Sequence, residues 1–190
     1  MGSSVLIILI HQIIFQGMFI AKNISLHRRL GIPVRGSNKE AVMSVVCFAL
    51  FIIISLLLGL FDTPFGTLIL LERTTTLAIA LILIAVNLSV GVASLIGLRD
   101  SWRVGVLEEQ KTDLIEGGIY RYSRNPYFLS YLIMFAAYTV LLQNIILLIL
   151  SLINFAMVHL MVLKEEKHLT SLHGEKYRKY QKRVPRYIII

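Results

Sequence analysis

The chain has 190 residues, of which 56% are hydrophobic and 16% are charged, and its formal net charge is +8. Ordinary soluble domains contain about 25% charged residues, so this composition excludes a typical soluble domain and indicates an integral membrane protein. The single cysteine, Cys47, excludes an internal disulfide.

Long segments without acidic or basic residues follow one another along the chain, and the last of them is too long for one crossing. A helix over residues 125–163 would extend about 58 Å, roughly twice the hydrocarbon thickness of a bilayer. We expect this segment to divide at the polar pair Gln143 and Asn144. The predicted membrane-spanning helices are residues 3–21, 41–60, 74–98, 126–142 and 145–163. The sequence therefore predicts an all-α integral membrane protein, with a single membrane domain over residues 1–190.

The basic residues lie almost entirely on one side of the predicted membrane. Segments 22–40, 99–124 and 164–190 hold 18 of the 19 Lys and Arg residues, and Arg73 is the exception. The positive-inside rule places these segments in the cytoplasm, with the N-terminus outside and the C-terminus cytoplasmic. Topology and attraction to anionic membrane lipids account for the net charge, so we expect no nucleic-acid partner.

Polar side chains within the predicted spans are expected to form hydrogen bonds between helices, because unpaired polar groups are costly in a bilayer. They are His11, Gln12, Gln16, Asn87, Asn154 and His159. For His159, at the cytoplasmic end of the fifth span, a ligand-binding role is an equal alternative. The chain has no cluster with the spacing of metal ligands, so we expect no metal site.

The first cytoplasmic cluster precedes the fourth span. Pro126 suits the first position of a helix, and the following N–H groups of Tyr127 and Phe128 could join Arg124 in binding a carboxylate or a phosphate. Arg124 would then orient an anionic group of a substrate or cofactor. Juxtamembrane Arg and Tyr are also typical of an interfacial belt, so spacing alone leaves both interpretations open.

The second cluster follows the fifth span. Glu165 and Glu166 stand where the negative dipole of a helix end would oppose them, so we expect the helix to continue and at least one Glu to face a cation. The cytoplasmic segment 164–190 has an apolar stripe among basic residues, which predicts an interfacial amphipathic helix. An anion site opposite a carboxylate suits a zwitterion such as S-adenosylmethionine, although NADPH, a lipid headgroup or another partner would also fit.

Two motifs carry a family resemblance over residues 100–190. They comprise Gly118, Tyr120, Arg124, Asn125, Pro126 and Phe128, then an apolar hairpin, then Glu165, Glu166, Leu169, Gly174, Tyr177, Tyr180, Val184 and Pro185. This order resembles the isoprenylcysteine carboxyl methyltransferase family, and the five-span size is similar to its short prokaryotic members.

The resemblance implies carboxyl O-methylation of a prenylcysteine-like, lipophilic acceptor by S-adenosylmethionine, which leaves S-adenosylhomocysteine. It implies a cytoplasmic-side cofactor pocket formed by the 99–125 connection and the C-terminal helix. The implied cofactor-binding residues are Leu114, Ile115, Tyr120, Asn125, Pro126, Tyr127, Phe128, Glu165 and Glu166.

Three positions depart from the family pattern and leave the acceptor open. Asn125 replaces the usual His, Phe128 replaces the usual Tyr, and Met161 stands where eukaryotic members have an Arg. The alternatives are a phospholipid N-methyltransferase, an NADPH-dependent reductase of the sterol type, and a membrane scaffold without enzymatic activity.

Overall fold

The computed structural model describes residues 2–31, 39–61, 64–99 and 113–187. These residues form the six helices α1 (Ser3–Leu30), α2 (Lys39–Phe61), α3 (Arg73–Leu98), α4 (Pro126–Leu142), α5 (Ile145–His173) and α6 (Glu175–Arg183), and a 3₁₀ turn, Gly118–Arg121. The described part of the chain contains no strand. The predicted all-α class is therefore confirmed.

Four helices, α1, α2, α3 and α5, are long and apolar enough to cross a membrane. Their outward faces expose large apolar side chains such as Ile13, Ile82 and Leu152, as expected where lipid replaces water. The shorter α4 has 17 residues, which extend about 26 Å. The chain is thus an integral multi-pass membrane protein, while a fifth crossing by α4 and the orientation of the termini stay predictions.

The boundaries of α4 and α5 follow local signals in the sequence. Pro126 occupies the first turn of α4, and Gln143 ends that helix in the left-handed conformation, with φ of +43°. Asn144 then caps α5 by accepting a hydrogen bond from the backbone N–H of Ile146 at 2.9 Å. The predicted division of the long apolar segment at Gln143 and Asn144 is confirmed.

Two helices extend beyond the predicted spans. Helix α1 continues to Leu30, where Gly31 adopts φ of +64° and donates its N–H to the His27 carbonyl at 3.0 Å. Helix α5 continues through both glutamates to His173, as the glutamate pair had predicted. Its apolar part ends at Leu163, and we take residues 145–163 as its membrane-spanning part.

Helix α4 lies at the centre of the bundle and contacts α1, α2, α3 and α5. Met134, Ala137 and Tyr138 on α4 are fully buried. The Tyr138 ring stacks on Phe51 of α2, with 6.1 Å between ring centroids. Because α4 is enclosed on these sides, its first turn is held in a fixed position relative to the ends of α3 and α5.

A polar network joins α1, α3 and α4 inside the bundle. His11 Nδ1 lies 2.6 Å from the Tyr138 hydroxyl, and His11 Nε2 lies 2.7 Å from Asn87 Oδ1. Asn87 donates its amide N–H to the Ser130 carbonyl at 2.6 Å, so its oxygen faces His11, and Nε2 carries the proton. Gln12 donates to the Tyr138 hydroxyl at 2.9 Å. The predicted interhelical bonding is confirmed for these side chains.

Three other polar side chains of the spans form separate contacts. Gln16 donates to Gln12 of its own helix at 3.3 Å, not to another helix. Asn154 donates to the Leu150 carbonyl at 2.9 Å and to the Cys47 carbonyl of α2 at 3.5 Å, which confirms interhelical bonding for this residue. His159 Nδ1 lies 3.3 Å from the Tyr187 hydroxyl, and this histidine does not line the cleft described below.

The C-terminal helix α6 packs one face against the rest of the protein. Gly174 has φ of +54°, a conformation that glycine adopts without strain, and it turns the chain between α5 and α6. Tyr177, Tyr180 and Val184 are consequently buried against Leu114 and Leu169. The expectation that this apolar stripe lies in the membrane interface is wrong for these three residues, because the chain folds back to cover them.

Candidate functional site

A cleft opens where the end of α3, the segment before α4, the first turn of α4, the end of α5 and α6 meet. The cleft is partly open to solvent, and its internal cavity volume is about 90 Å³. Eight of the predicted site residues line it: Leu114, Ile115, Tyr120, Arg124, Asn125, Tyr127, Phe128 and Glu165. The structure therefore brings together residues that are up to 51 positions apart in the sequence.

Two predicted site residues do not line the cleft. Pro126 is buried in the first turn of α4, where it sets the direction of the helix. Glu166 is 4% exposed and turns away from the cleft, because successive side chains on a helix point about 100° apart. The adjacent glutamates therefore have different surroundings, and Glu165 alone faces the cleft.

The segment before α4 places Tyr120 against α3. Gly118 adopts φ of +61° and starts the 3₁₀ turn. The Tyr120 ring lies so close to α3 that a Cβ at Gly97 would approach it to 3.1 Å. Glycine at position 97 thus permits the close approach that seats Tyr120 in the cleft wall.

The first turn of α4 points into the cleft without a side-chain cap. Asn125 is the N-cap residue, yet its side chain does not cap the helix. Its amide instead donates to Glu166 Oε1 at 3.0 Å. The first N–H groups of a helix have no partner within the helix and carry a partial positive charge. Tyr127 and Phe128 belong to this turn and line the cleft. The turn can therefore receive a carboxylate.

Glu165 is half-buried in the cleft wall, beyond the apolar part of α5. Burial raises the pKa of its carboxyl to about 7, and the charge of the neighbouring Glu166 adds to the rise. A second acid, Asp113, lies on the same wall. Neither carboxylate forms an ion pair with any residue that the structure describes. Both are therefore available to a cationic ligand.

The arginine of the wall is already engaged inside the protein. Arg124 Nη2 lies 3.0 Å from Glu166 Oε1, and its Nη1 donates to the Gln181 carbonyl at 2.9 Å. The Arg124 side chain is 8% exposed. Because Glu166 balances its charge, Arg124 gives the cleft little net positive potential, and the predicted contact with an external anion would have to compete with this pair.

Aromatic rings form much of the remaining wall: Tyr120, Tyr127, Phe128, Tyr177 and Tyr180. The Tyr180 hydroxyl donates to the Tyr120 carbonyl at 2.7 Å, which ties α6 to the 3₁₀ turn. Burial raises the pKa of the Tyr120 and Tyr180 hydroxyls, so both stay protonated at neutral pH. Aromatic faces and carboxylates together attract cations.

Sequence reasoning missed five lining residues: Leu98, Asp113, Leu169, Tyr177 and Tyr180. Tyr177 and Tyr180 belong to the second motif, and their place in that motif was a usable signal, although their apolar stripe favoured a membrane interface. Asp113 had no distinguishing pattern. Among the described residues, no three His, Cys, Asp or Glu side chains are grouped so that they could hold a metal ion.

The geometry can be compared with known protein families. The sequence model of the phospholipid methyltransferase family matches residues 74–176, which is more than half of the chain. The match runs from the start of α3 through the cleft to the first residues of α6. This family and the isoprenylcysteine carboxyl methyltransferases belong to one superfamily of membrane methyltransferases. No curated protein sequence matches the chain significantly.

Proposed function

The chain belongs to the phospholipid methyltransferase family, and from this premise we propose that it transfers a methyl group from S-adenosylmethionine to the amine headgroup of a membrane lipid. The observation that supports this proposal best is the charge of the cleft. Its described wall has two unpaired carboxylates and five aromatic rings, and Glu166 neutralises its one arginine. Such a wall favours cationic ligands over anionic ones.

The residues of the cleft fit S-adenosylmethionine, which supplies an electrophilic methyl group on a cationic sulfur when bound. The uncapped first turn of α4 would receive its carboxylate. Glu165 would hold its amino group or a ribose hydroxyl, and the rings of Tyr120 and Phe128 would enclose its apolar parts. The aromatic faces would also stabilise the positive charge on sulfur.

The charge of the remaining wall groups favours an amine acceptor over a carboxylate acceptor. A carboxylate acceptor, as the isoprenylcysteine carboxyl methyltransferase resemblance implies, would face Glu165 and Asp113 without a free cation in the described wall. A lipid ammonium would meet the same carboxylates with favourable charge. An ammonium must lose a proton before its nitrogen can attack, and Asp113 is the wall carboxylate that the cofactor would leave free to accept it.

Beyond this proton transfer, the reaction depends mainly on the alignment of the acceptor nitrogen with the methyl group. The acceptor ammonium would lose its proton to the Asp113 carboxylate. Its nitrogen would then take the methyl group that S-adenosylmethionine supplies, and S-adenosylhomocysteine would remain with the electron pair of the broken C–S bond. Holding both reactants in line can lower the barrier by about 7–11 kcal/mol.

Carboxyl methylation of a prenylcysteine-like acceptor is the second candidate. The ordered motifs from Gly118 to Pro185 favour it, because they resemble the isoprenylcysteine carboxyl methyltransferases. A carboxylate acceptor is already ionised at neutral pH and needs no base. The rate should then depend on pH much less than with an amine acceptor. An NADPH-dependent reductase is disfavoured, because several phosphates would require basic groups that the described wall does not offer.

The test uses the full chain in lipid nanodiscs with radiolabelled S-adenosylmethionine. We expect calorimetric binding of S-adenosylhomocysteine and transfer of label to an ethanolamine phospholipid, with a rate that rises steeply with pH. Glu165→Gln should reduce both, whereas Arg178→Ala, which removes an exposed charge on α6, should change neither. Label on a prenylcysteine carboxylate alone would reject the amine acceptor, and absence of S-adenosylhomocysteine binding would reject the methyltransferase proposal.

A further inference from the structure

Glu166 is a buried carboxylate that two arginines share. Its Oε1 accepts hydrogen bonds from Arg124 Nε at 3.2 Å and from the Asn125 amide at 3.0 Å, and Arg124 Nη2 forms an ion pair with it at 3.0 Å. Its Oε2 accepts from Arg186 Nη2 at 3.0 Å and Nε at 3.2 Å. Within the described residues, Arg186 is therefore the sole partner of Oε2. A buried charge is tolerated only when it is well paired, so the C-terminal segment supplies half of the pairing.

The backbone of the same segment is attached to the residues that precede α4. Arg124 donates its backbone N–H to the Pro185 carbonyl at 3.0 Å, and the Ser123 hydroxyl donates to the Arg186 carbonyl at 3.1 Å. The Arg124 guanidinium donates to the Gln181 carbonyl at 2.9 Å. These bonds fix residues 181–186 and the start of α4 relative to each other.

Helix α6 connects this attached segment to the cleft. Tyr177 and Tyr180 form part of its wall, and Tyr180 is tied to the Tyr120 carbonyl. The family match ends at residue 176, so these side chains and Arg186 follow the matched region. A complete cleft thus depends on residues that the family comparison does not include.

We infer that segment 177–187 completes the cleft, and that Arg186 is a positioning residue that holds this segment through a clasp formed by Arg124, Glu166 and Arg186. The catalytic part of this inference rests on the proposed function. Arg186 touches neither acceptor nor methyl donor. It acts by keeping the Glu166 carboxylate in place, and with it the Arg124 and Asn125 side chains at the start of α4.

The clasp also sets the electrostatic surroundings of Glu165. The ionisable groups around this carboxylate come from every neighbouring element: Asp113, Tyr120, Arg124, Tyr127, Glu166 and Tyr177. Among the described residues, Arg124 and, through the clasp, Arg186 supply the positive charge of this set. Without Arg186, more of the Glu166 charge is uncompensated, which favours the protonated form of Glu165. The acidic limb of a pH–rate profile should then move to higher pH.

The experiment compares Arg186→Ala, Arg186→Lys and the control Arg178→Ala in the full chain. The Arg178 side chain is 64% exposed on the same segment and takes no part in the clasp. Arg186 is 34% exposed, so we expect a moderate effect. Arg186→Ala should weaken S-adenosylhomocysteine binding about tenfold and move the acidic limb upward. Arg186→Lys should keep the limb in place because it keeps the charge, and Arg178→Ala should match the wild type.

Amide hydrogen exchange of residues 177–187 separates the two proposals. Arg186→Ala should speed exchange there at least tenfold, whether or not the protein methylates anything. If the wild-type protein neither binds S-adenosylhomocysteine nor transfers a methyl group, the proposed function is rejected. The hydrogen-exchange comparison would still test the clasp in that case. The clasp is refuted if Arg186→Ala behaves like Arg178→Ala in binding, pH profile and exchange. If Arg186→Ala does not fold, unchanged exchange and affinity in Arg186→Lys, which loses the two-nitrogen contact, would refute it.

Discussion

Glu165→Gln should stabilise the ligand-free protein at pH 8 while it weakens binding. Burial and the neighbouring Glu166 raise the pKa of this carboxyl from 4.5 to about 7, so the folded protein holds the proton more tightly than the unfolded chain does. The associated stability is complete below pH 4.5 and is lost as the pH rises towards 7. Glutamine has the shape of the protonated form and cannot ionise, so the variant should not undergo this loss.

The size of the effect follows from the pKa. Each tenfold change in proton affinity corresponds to about 1.4 kcal/mol, so at pH 8 the ionised carboxylate costs the folded protein about 3 kcal/mol as an upper limit. At pH 5 the same relation gives less than about 1 kcal/mol. For a chain of this length, 1 kcal/mol moves the unfolding midpoint by about 2–4 °C. Glu165→Gln should therefore raise the midpoint by roughly 6–12 °C at pH 8 and by about a quarter of that at pH 5.

Thermal unfolding in detergent, without ligand, at pH 5 and pH 8 measures this difference. The matched control is Glu175→Gln, which removes an exposed carboxylate at the start of α6 and should give similar midpoints to wild type at both values. S-adenosylhomocysteine calorimetry at pH 8 should show weaker binding for Glu165→Gln. An equal gain at both pH values, or no gain at pH 8, would refute the view that Glu165 is held in the cleft at a cost in stability.

Two further variants test the wall and the bundle. Tyr180→Phe removes the 2.7 Å hydrogen bond to the Tyr120 carbonyl and should cost about 1 kcal/mol of folding free energy. The unfolding midpoint should fall, and the affinity for S-adenosylhomocysteine should fall less than tenfold. The control Tyr122→Phe, at an exposed position, should change neither quantity. His11→Leu leaves Asn87 Oδ1 without its partner and should destabilise the bundle by about 1–2 kcal/mol. The folded fraction should keep wild-type ligand affinity, and a large loss of affinity would contradict a purely structural role.

The central part of the fold was predictable because its boundaries have strong local causes. Pro126 starts α4 and the polar pair Gln143 and Asn144 ends it, so residues 126–142 were predicted with the observed limits. The end of α1 was not predictable in this way, because a count of apolar residues gives only the length of helix that lies within the bilayer. The helix continues as far as its backbone bonds permit, to the left-handed Gly31.

The predicted site residues converge because the two motifs flank one helical hairpin, whose ends must return to the same side. What sequence could not give is the direction of each side chain. Whether Glu165 or Glu166 faces the cleft depends on the rotation of α5 against α4, which packing sets. The burial of Tyr177 and Tyr180 depends on the turn at Gly174, and α6 would present the same stripe to lipid if that turn were different.

The adjacent glutamates of one short motif lie in two different electrostatic environments. Glu166 lies between two arginines, and that pairing makes its charge tolerable in a buried position. Glu165 has no such partner among the described residues, and its pKa is raised because burial and the Glu166 charge make its ionised form unfavourable. A cationic ligand would supply the missing charge and lower that pKa, so binding should release a proton wherever the carboxyl is partly protonated. Because an anionic acceptor would increase the same cost, the electrostatics of this pair favour an amine over a carboxylate.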